Sequence, residues 1–186
     1  MAILINGLWA AWLVYWFLAA FGTKPTARRE SAASRLSHIL PLALAAALLV
    51  RPALAGPVLA LPILPRMAGF DIVGAVLVAL GLGFAVWARL RLAGNWSGTV
   101  TVKQGHELVR SGPYALVRHP IYTGMLLAAA GSAIAIDRWA GLVALALMAI
   151  AFIRKTAIEE RFMAEVFGPV YAAYTRDTAR LVPFLW

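Results

Sequence analysis

The residues best suited to chemistry in this 186-residue chain lie in two short runs far apart in sequence. In "VRHPIYTG", Val117 to Gly124, an arginine and a histidine stand directly before a proline that opens an apolar run. Pro120 fits the first turn of a helix, where its missing N–H costs nothing and its fixed φ favours helical geometry. Arg118 and His119 then flank a helix N-terminus, whose free N–H groups and positive dipole end attract anions. A carboxylate or phosphate held there would meet a bidentate guanidinium, backbone donors and an imidazole. The plain alternative is that Arg118 anchors the helix at lipid headgroups. In "IEERFMAEVFGPVYAAY" the acids Glu159 and Glu160 supply two carboxylates. There the plain alternative is a solvated helix face with Lys155 and Glu159 paired at i,i+4.

The stretch "GHELVRSGPYALVRHPIYTG" adds His106, Gly112-Pro113, and Tyr114 and Tyr122 on either side of the Arg-His pair. Brought together, these groups offer an anion site, a carboxylate for an ammonium or ribose hydroxyls, and tyrosine faces that attract a cation. That set suits a zwitterionic, nucleotide-like ligand at a membrane surface.

The elements that must position these residues are membrane helices. At 62% hydrophobic and 13% charged, the chain is too apolar for an ordinary water-soluble domain. A helix needs about 20 apolar residues to cross a hydrocarbon core about 30 Å thick, so the length suits one bundle of about five spans. The pattern predicts spans over Ile3–Phe21, Leu36–Val50, Gly69–Trp87, Ile121–Ile136 and Trp139–Ile153. "PALAGPVLALPILP" carries four prolines and reads as an irregular connection or a partly inserted segment. Asp137-Arg138 is so short a link that the last two spans must form an antiparallel hairpin. The hairpin carries the glutamates back toward Arg118 and His119. From Arg154 onward the chain reads as an amphipathic, aromatic tail.

This topology places 14 of the 17 Lys and Arg residues on one side, leaving only Arg51, Arg66 and Arg138 on the other. The positive-inside rule then puts the N-terminus outside and the C-terminus in the cytoplasm. The formal charge of +9 is explained by topology and by attraction to anionic lipid, so nucleic-acid binding is not required. The chain contains no cysteine, which excludes disulfides, thiolate metal sites and a Cys nucleophile. His38, His106 and His119 are too few and too scattered for a metal centre. "GLGFAV", Gly81 to Val86, lacks the last glycine of a dinucleotide fingerprint and reads as a close-packing helix face. "NWS", Asn95 to Ser97, matches a glycosylation acceptor but falls on the cytoplasmic side.

"NWSG" (Asn95 to Gly98), "GHELVRSGPYALVRHPIYTG", "EERF" (Glu159 to Phe162) and "FGPVYAAY" (Phe167 to Tyr174) resemble, in this order and spacing, the isoprenylcysteine carboxyl methyltransferases and their bacterial relatives. The likeness covers about Arg89 to Trp186. It implies an all-α polytopic membrane bundle forming a single domain, with residues 1–66 as N-terminal spans and 67–186 as the cofactor-binding core. It further implies a bacterial inner-membrane enzyme with a cytoplasm-facing S-adenosylmethionine pocket, closed over by the C-terminal segment, that a lipophilic acceptor reaches from the bilayer. By the same resemblance, His106, Leu108, Val109, Tyr114, Arg118, His119, Tyr122, Glu159 and Glu160 line the methyl-donor site. Arg118 and His119 take the methionine carboxylate, one glutamate takes the ammonium or ribose, and Leu108 and Val109 flank adenine. Arg154 and Asn95 are candidates for the acceptor's polar head.

A carboxylate acceptor is already ionised at neutral pH and needs no general base, which agrees with the lack of an obvious one. The related phospholipid N-methyltransferases share a similar C-terminal pattern and act on amines, which must first be deprotonated. Readings from other classes are a non-catalytic transporter or assembly protein on the same fold, and a nicotinamide-dependent membrane reductase. No charge falls in the middle of a span, as a transport pathway would demand.

Overall fold

The computed structural model describes residues 1–63, 69–97, 101–103 and 107–184. Helix α1 (Ala2–Ala20) leads through strand β1 (Thr26–Arg29) into α2 (Ala32–Val50), and a 3-10 turn at Pro52–Ala55 is followed by the short α3 (Gly56–Leu59). Helix α4 (Phe70–Leu92) precedes β2 (Thr101–Lys103), and then come α5 (Pro120–Ile136), α6 (Trp139–Phe167) and α7 (Pro169–Asp177). Among the described residues the bundle is helical apart from β1 and β2, which pair antiparallel as a small ribbon. Helices α1, α2, α4 and α6 are long and apolar enough to cross a membrane, and α5 is a shorter apolar helix.

The irregular stretch after α2 follows from its prolines: Pro52 opens the 3-10 turn and Pro57 sits in the first turn of α3. Pro41, in contrast, is accommodated inside α2. The largest departure from the predicted limits is α6. Its apolar run fades after Ile153, yet the helix continues to Phe167. Its 29 residues rise about 43 Å, more than the roughly 30 Å core, so the last turns project beyond the hydrocarbon and carry Glu159 and Glu160.

Neighbouring helices pack in the order α1, α4, α5, α6, α2. The α4–α5 contact is the tightest, because glycines face each other across it. A methyl placed on Gly81 would fall 2.5 Å from the Gly124 carbonyl oxygen and the Ala128 nitrogen, and one on Gly74 would fall 2.6 Å from the Gly131 carbonyl oxygen. Small residues at this spacing let two backbones touch, which is how helices gain dispersion energy in lipid. The close-packing reading of "GLGFAV" is thus the one the structure bears out.

Polar side chains tie the outer helices to this pair. Trp9 on α1 donates its indole N–H to the Ser132 hydroxyl on α5 at 3.0 Å. Arg89, only 4% exposed, donates to the carbonyls of Ala93 at 2.7 Å and Ala19 at 2.5 Å, joining the C-terminal ends of α4 and α1. At the opposite end the predicted hairpin turns at Asp137, whose φ of 48° is a left-handed conformation that Asp tolerates. Arg138 donates to the Ala60 carbonyl at 2.5 Å and fixes the α3 connection against the turn.

Candidate active site

The hairpin of α5 and α6 brings the two chemical runs together at one end of the bundle. Pro120 is the first residue of α5 and His119 its N-cap. One helix away, Glu159 and Glu160 occupy the projecting turns of α6. Arg118 donates from Nε to Glu160 Oε1 at 2.7 Å, and Arg180 Nη2 holds the other oxygen of Glu160 at 2.7 Å. His119 lies between the acids, with Nδ1 3.3 Å from Glu159 Oε2 and Nε2 3.4 Å from Glu160 Oε1. Tyr122 completes the chain by donating its hydroxyl to Glu159 Oε1 at 2.6 Å.

Burial disfavours the imidazolium form of His119, but the hydrogen bonds and negative charges of Glu159 and Glu160 outweigh it and hold the pKa above the ordinary histidine value. A doubly protonated ring can donate from both nitrogens at once, as this geometry requires. Arg118, Arg180 and the His119 imidazolium then exceed the two carboxylates by one positive charge. The His119 ring stacks on Tyr122 at 5.8 Å and Tyr122 on Phe152 at 4.7 Å, so the ion pairs rest on an aromatic column.

The C-terminal segment is built into this frame. Gly168, at a φ of 52° that favours glycine, ends α6 and lets Pro169 open α7 in a new direction. Arg118 Nη1 then donates to the carbonyls of Thr175 and Thr178 at the end of α7. Its backbone N–H donates to Ala179 at 2.8 Å, and that of His119 to Arg180 at 3.1 Å. The chain's own strap thus takes the two backbone N–H groups that precede the first turn of α5. Thr123 adds a hydroxyl bond to the Leu181 carbonyl at 2.6 Å, and Tyr174 donates to the Tyr114 carbonyl at 2.6 Å.

Between these parts lies an open-mouthed cavity. Arg118, His119, Tyr122 and Glu159 form one wall, and Leu108, Val109 and Tyr114 another. Asn95 also faces it, buried, with an Oδ1 that finds no hydrogen-bond partner. Glu160 stands one step behind the wall and fixes Arg118. Arg154 is not on the cavity: α6 turns it toward α2, where Nε donates to Ser37 Oγ at 2.5 Å. The face of α6 on which it falls therefore does not bring Arg154, a candidate for the acceptor's polar head, together with the other candidate residues at this cavity. His106 lies outside the described residues.

Several wall residues escaped the sequence reading. Trp96 faces the cavity with Arg89 stacked behind it, 4.6 Å from its ring centroid. Met163 extends the α6 side, Glu107 stands at the rim, and α7 contributes Tyr171 and Tyr174. The i,i+3 spacing of those tyrosines, just after a proline that starts a helix, was the available signal. Burial raises the pKa of Tyr114, Tyr171 and Tyr174, the last to about 12, so all three keep their protons at neutral pH.

A polytopic helical bundle with an ion-paired, tyrosine-lined cavity at one membrane face defines a membrane-embedded small-molecule site. A family model described as phospholipid methyltransferase matches residues 70–170, and the chain belongs to that family. It is 36% identical over 107 residues to the cobalt-zinc-cadmium resistance protein CzcN of Cupriavidus metallidurans, covering 57% of this chain and 47% of that one. It is 32% identical over 87 residues to protein-S-isoprenylcysteine O-methyltransferase A of Arabidopsis thaliana, covering 46% of this chain and 44% of that protein. The chain thus spans about half the length of these relatives. In fold it is similar to the eukaryotic intramembrane Ras methyltransferase, isoprenylcysteine carboxyl methyltransferase, with a TM-score of 0.56 at 21% identity, covering 86% of this chain and 55% of that one.

Proposed function

We propose that the protein is an integral membrane methyltransferase that uses S-adenosylmethionine and methylates an amphiphilic acceptor arriving from the bilayer. The observation that carries this reading is the frame of Arg118, His119, Glu159 and Glu160 standing against one cavity edge. Its donor set fits the cofactor. The cationic side chains of Arg118 and His119, with Arg180 behind them, suit the methionine carboxylate, and Glu159 suits the ammonium or ribose hydroxyls. Leu108 and Val109 offer apolar contact to adenine, and the tyrosine faces suit a sulfonium. Once bound, S-adenosylmethionine supplies an electrophilic methyl group, which the acceptor's lone pair takes while the C–S bonding electrons stay with sulfur.

What the chain contributes is alignment and exclusion of water. α7 and its strap cover the polar end, and Trp96 and Ile121 line the apolar part. The buried tyrosines remain protonated, so none of them is a resting base. This agrees with a carboxylate acceptor, ionised before it binds. The amine alternative has its own support: Glu107 and Glu159 both line the cavity and could hold an ammonium, and the family description names phospholipid. The basic excess of this end supports a cytoplasmic orientation of the cavity, in keeping with an enzyme of a bacterial inner membrane.

Calorimetric titration of S-adenosylhomocysteine into the purified protein tests the reading. Binding that is lost in Arg118→Ala and Glu160→Ala is expected; equal binding by both variants would overturn the pocket assignment. Mass spectrometry of a lipid extract incubated with labelled S-adenosylmethionine then identifies the component that gains a methyl group.

A further inference from the structure

Part of the cavity wall, formed by the turn that follows α4, has no place in the ion-paired frame. Its largest member is Trp96, whose ring is held from two sides. The Arg89 guanidinium lies 4.6 Å from the ring centroid, and Trp16 on α1 meets the ring edge-on at 5.5 Å and 90°. Trp16 is in turn stacked on Trp12 at 4.4 Å. Trp96 lines the cavity whereas Arg89 and Trp16 do not, so the ring stands between the cation and the cavity. Arg89 is 4% exposed, and its Nε has no hydrogen-bond partner. The carbonyls of Ala93 and Ala19 that it holds end two helices, and their partial negative charge offsets the guanidinium only in part. Among the described residues no carboxylate pairs with it. A net positive charge therefore remains behind the ring, and its field reaches Tyr114 on the cavity wall.

Two hydrogen-bond donors stand in that field. Asn95 is 9% exposed and makes no side-chain hydrogen bond among the described residues. Its Oδ1 is shut in, which leaves Nδ2 as the end open to the cavity. The Tyr114 hydroxyl is also unbonded and is not shut into the core. An N–H and an O–H beside a desolvated positive charge fit an anionic oxygen. An ammonium at the same place would meet the repulsion of Arg89 instead.

We propose that Asn95, Trp96 and Tyr114 form the subsite for the acceptor's head and select a carboxylate over an amine, with Arg89 as the positioning residue that supplies the selecting charge through the Trp96 ring. The inference rests on the S-adenosylmethionine reading above and names the acceptor class for it. A guanidinium in contact with the carboxylate would occupy the lone pairs that must attack; behind the ring it attracts without bonding them. Asn95 and Tyr114 hold one carboxylate oxygen, and the other forms the new bond to the methyl carbon. The C–S bond breaks with its electrons going to sulfur, and no proton is released. The sulfonium and carboxylate charges cancel, so the ester product is neutral and loses its attraction to Arg89.

The test is calorimetric titration of the full chain, saturated with S-adenosylhomocysteine in neutral detergent and mildly alkaline buffer, with dodecanoate, dodecanol and dodecylamine as probes. The unaltered protein binds dodecanoate at least about tenfold more tightly than dodecylamine. Arg89→Gln lowers the ratio of dodecanoate to dodecanol affinity about tenfold, and Arg89→Lys, which keeps the charge, retains most of it. A merely structural role for Arg89 would weaken all three probes alike and leave that ratio unchanged, which would overturn the proposal. A preference for dodecylamine would overturn it in favour of an amine acceptor. Should Arg89→Gln fail to fold, Asn95→Leu is read by the same ratio: a fall of about fivefold supports the subsite and an unchanged ratio overturns it. Absence of S-adenosylhomocysteine binding by the unaltered protein would overturn the methyl-donor reading and this inference together; such binding without a preference among the three heads would overturn this inference alone.

Discussion

Arg118 and Glu160, 42 residues apart in the chain, meet at 2.7 Å, and the same guanidinium reaches the last carbonyls of α7. One side chain therefore couples the start of α5, the projecting end of α6 and the strap beyond α7. The wall of the cavity and its cover share a single fastening.

Replacing Arg118 by lysine should separate charge from shape. Lysine keeps the cation but lacks the planar fork that serves a carboxylate and two carbonyls at once. Losing charge-assisted bonds of this type typically costs about 1.5–3 kcal/mol. The Arg118→Lys variant is expected to bind S-adenosylhomocysteine at least about tenfold more weakly. Trypsin should also cut it faster near Arg176 and Arg180, and parallel calorimetry and limited proteolysis check both effects.

The His119 imidazolium predicts a direction for pH. Its folded pKa is raised by Glu159 and Glu160, which outweigh burial, so the folded protein holds that proton more tightly than the unfolded chain. The resulting stabilisation is complete below the unfolded value near 6.5 and is lost as pH rises through the higher folded value. Melting temperature in detergent should fall over that alkaline window, and a His119→Gln variant should show a flatter profile. An unaltered slope in the variant would remove the ring from the account.

Much of this arrangement was legible from residue order because membrane topology leaves few choices. A two-residue link between apolar runs forces a hairpin, and a hairpin must return Glu159 and Glu160 to the side of Arg118 and His119. What was not legible depends on helical phase and length. Arg154 looked equivalent to Glu159 as a charge near the end of a span, yet it faces Ser37 on α2. The projecting turns of α6 are polar enough to read as a tail, because continuation past the hydrocarbon is fixed by packing on α7 rather than by hydropathy. The claim of the strap on the N–H groups of Arg118 and His119 is likewise a tertiary event with no local signature.

The glycine contact between α4 and α5 predicts opposite outcomes two residues apart. A methyl at Gly81 meets backbone atoms 2.5 Å away, whereas one at Gly83 meets nothing within 4 Å. Gly81→Ala should destabilise by about 1–3 kcal/mol, because backbones rather than flexible side chains would have to part. Gly83→Ala should be neutral or stabilise by about 0.5–1 kcal/mol through helix propensity. Thermal unfolding of the two variants under identical detergent conditions decides it.

Tyr174→Phe addresses whether α7 acts as a cover for the cavity or only as a packing element. The hydroxyl of Tyr174 donates at 2.6 Å to the Tyr114 carbonyl, and both rings face the cavity. Removing it leaves that buried carbonyl unpaired, at a cost of about 1 kcal/mol, while the apolar contacts of the ring persist. If α7 is a cover held down by this bond and by Arg118, loosening it should raise the dissociation rate of bound S-adenosylhomocysteine about fivefold while the association rate changes little. Stopped-flow displacement measures both rates. An unchanged dissociation rate would mean that this bond does not hold a cover in place, and that Tyr174 contributes only its ring to the wall.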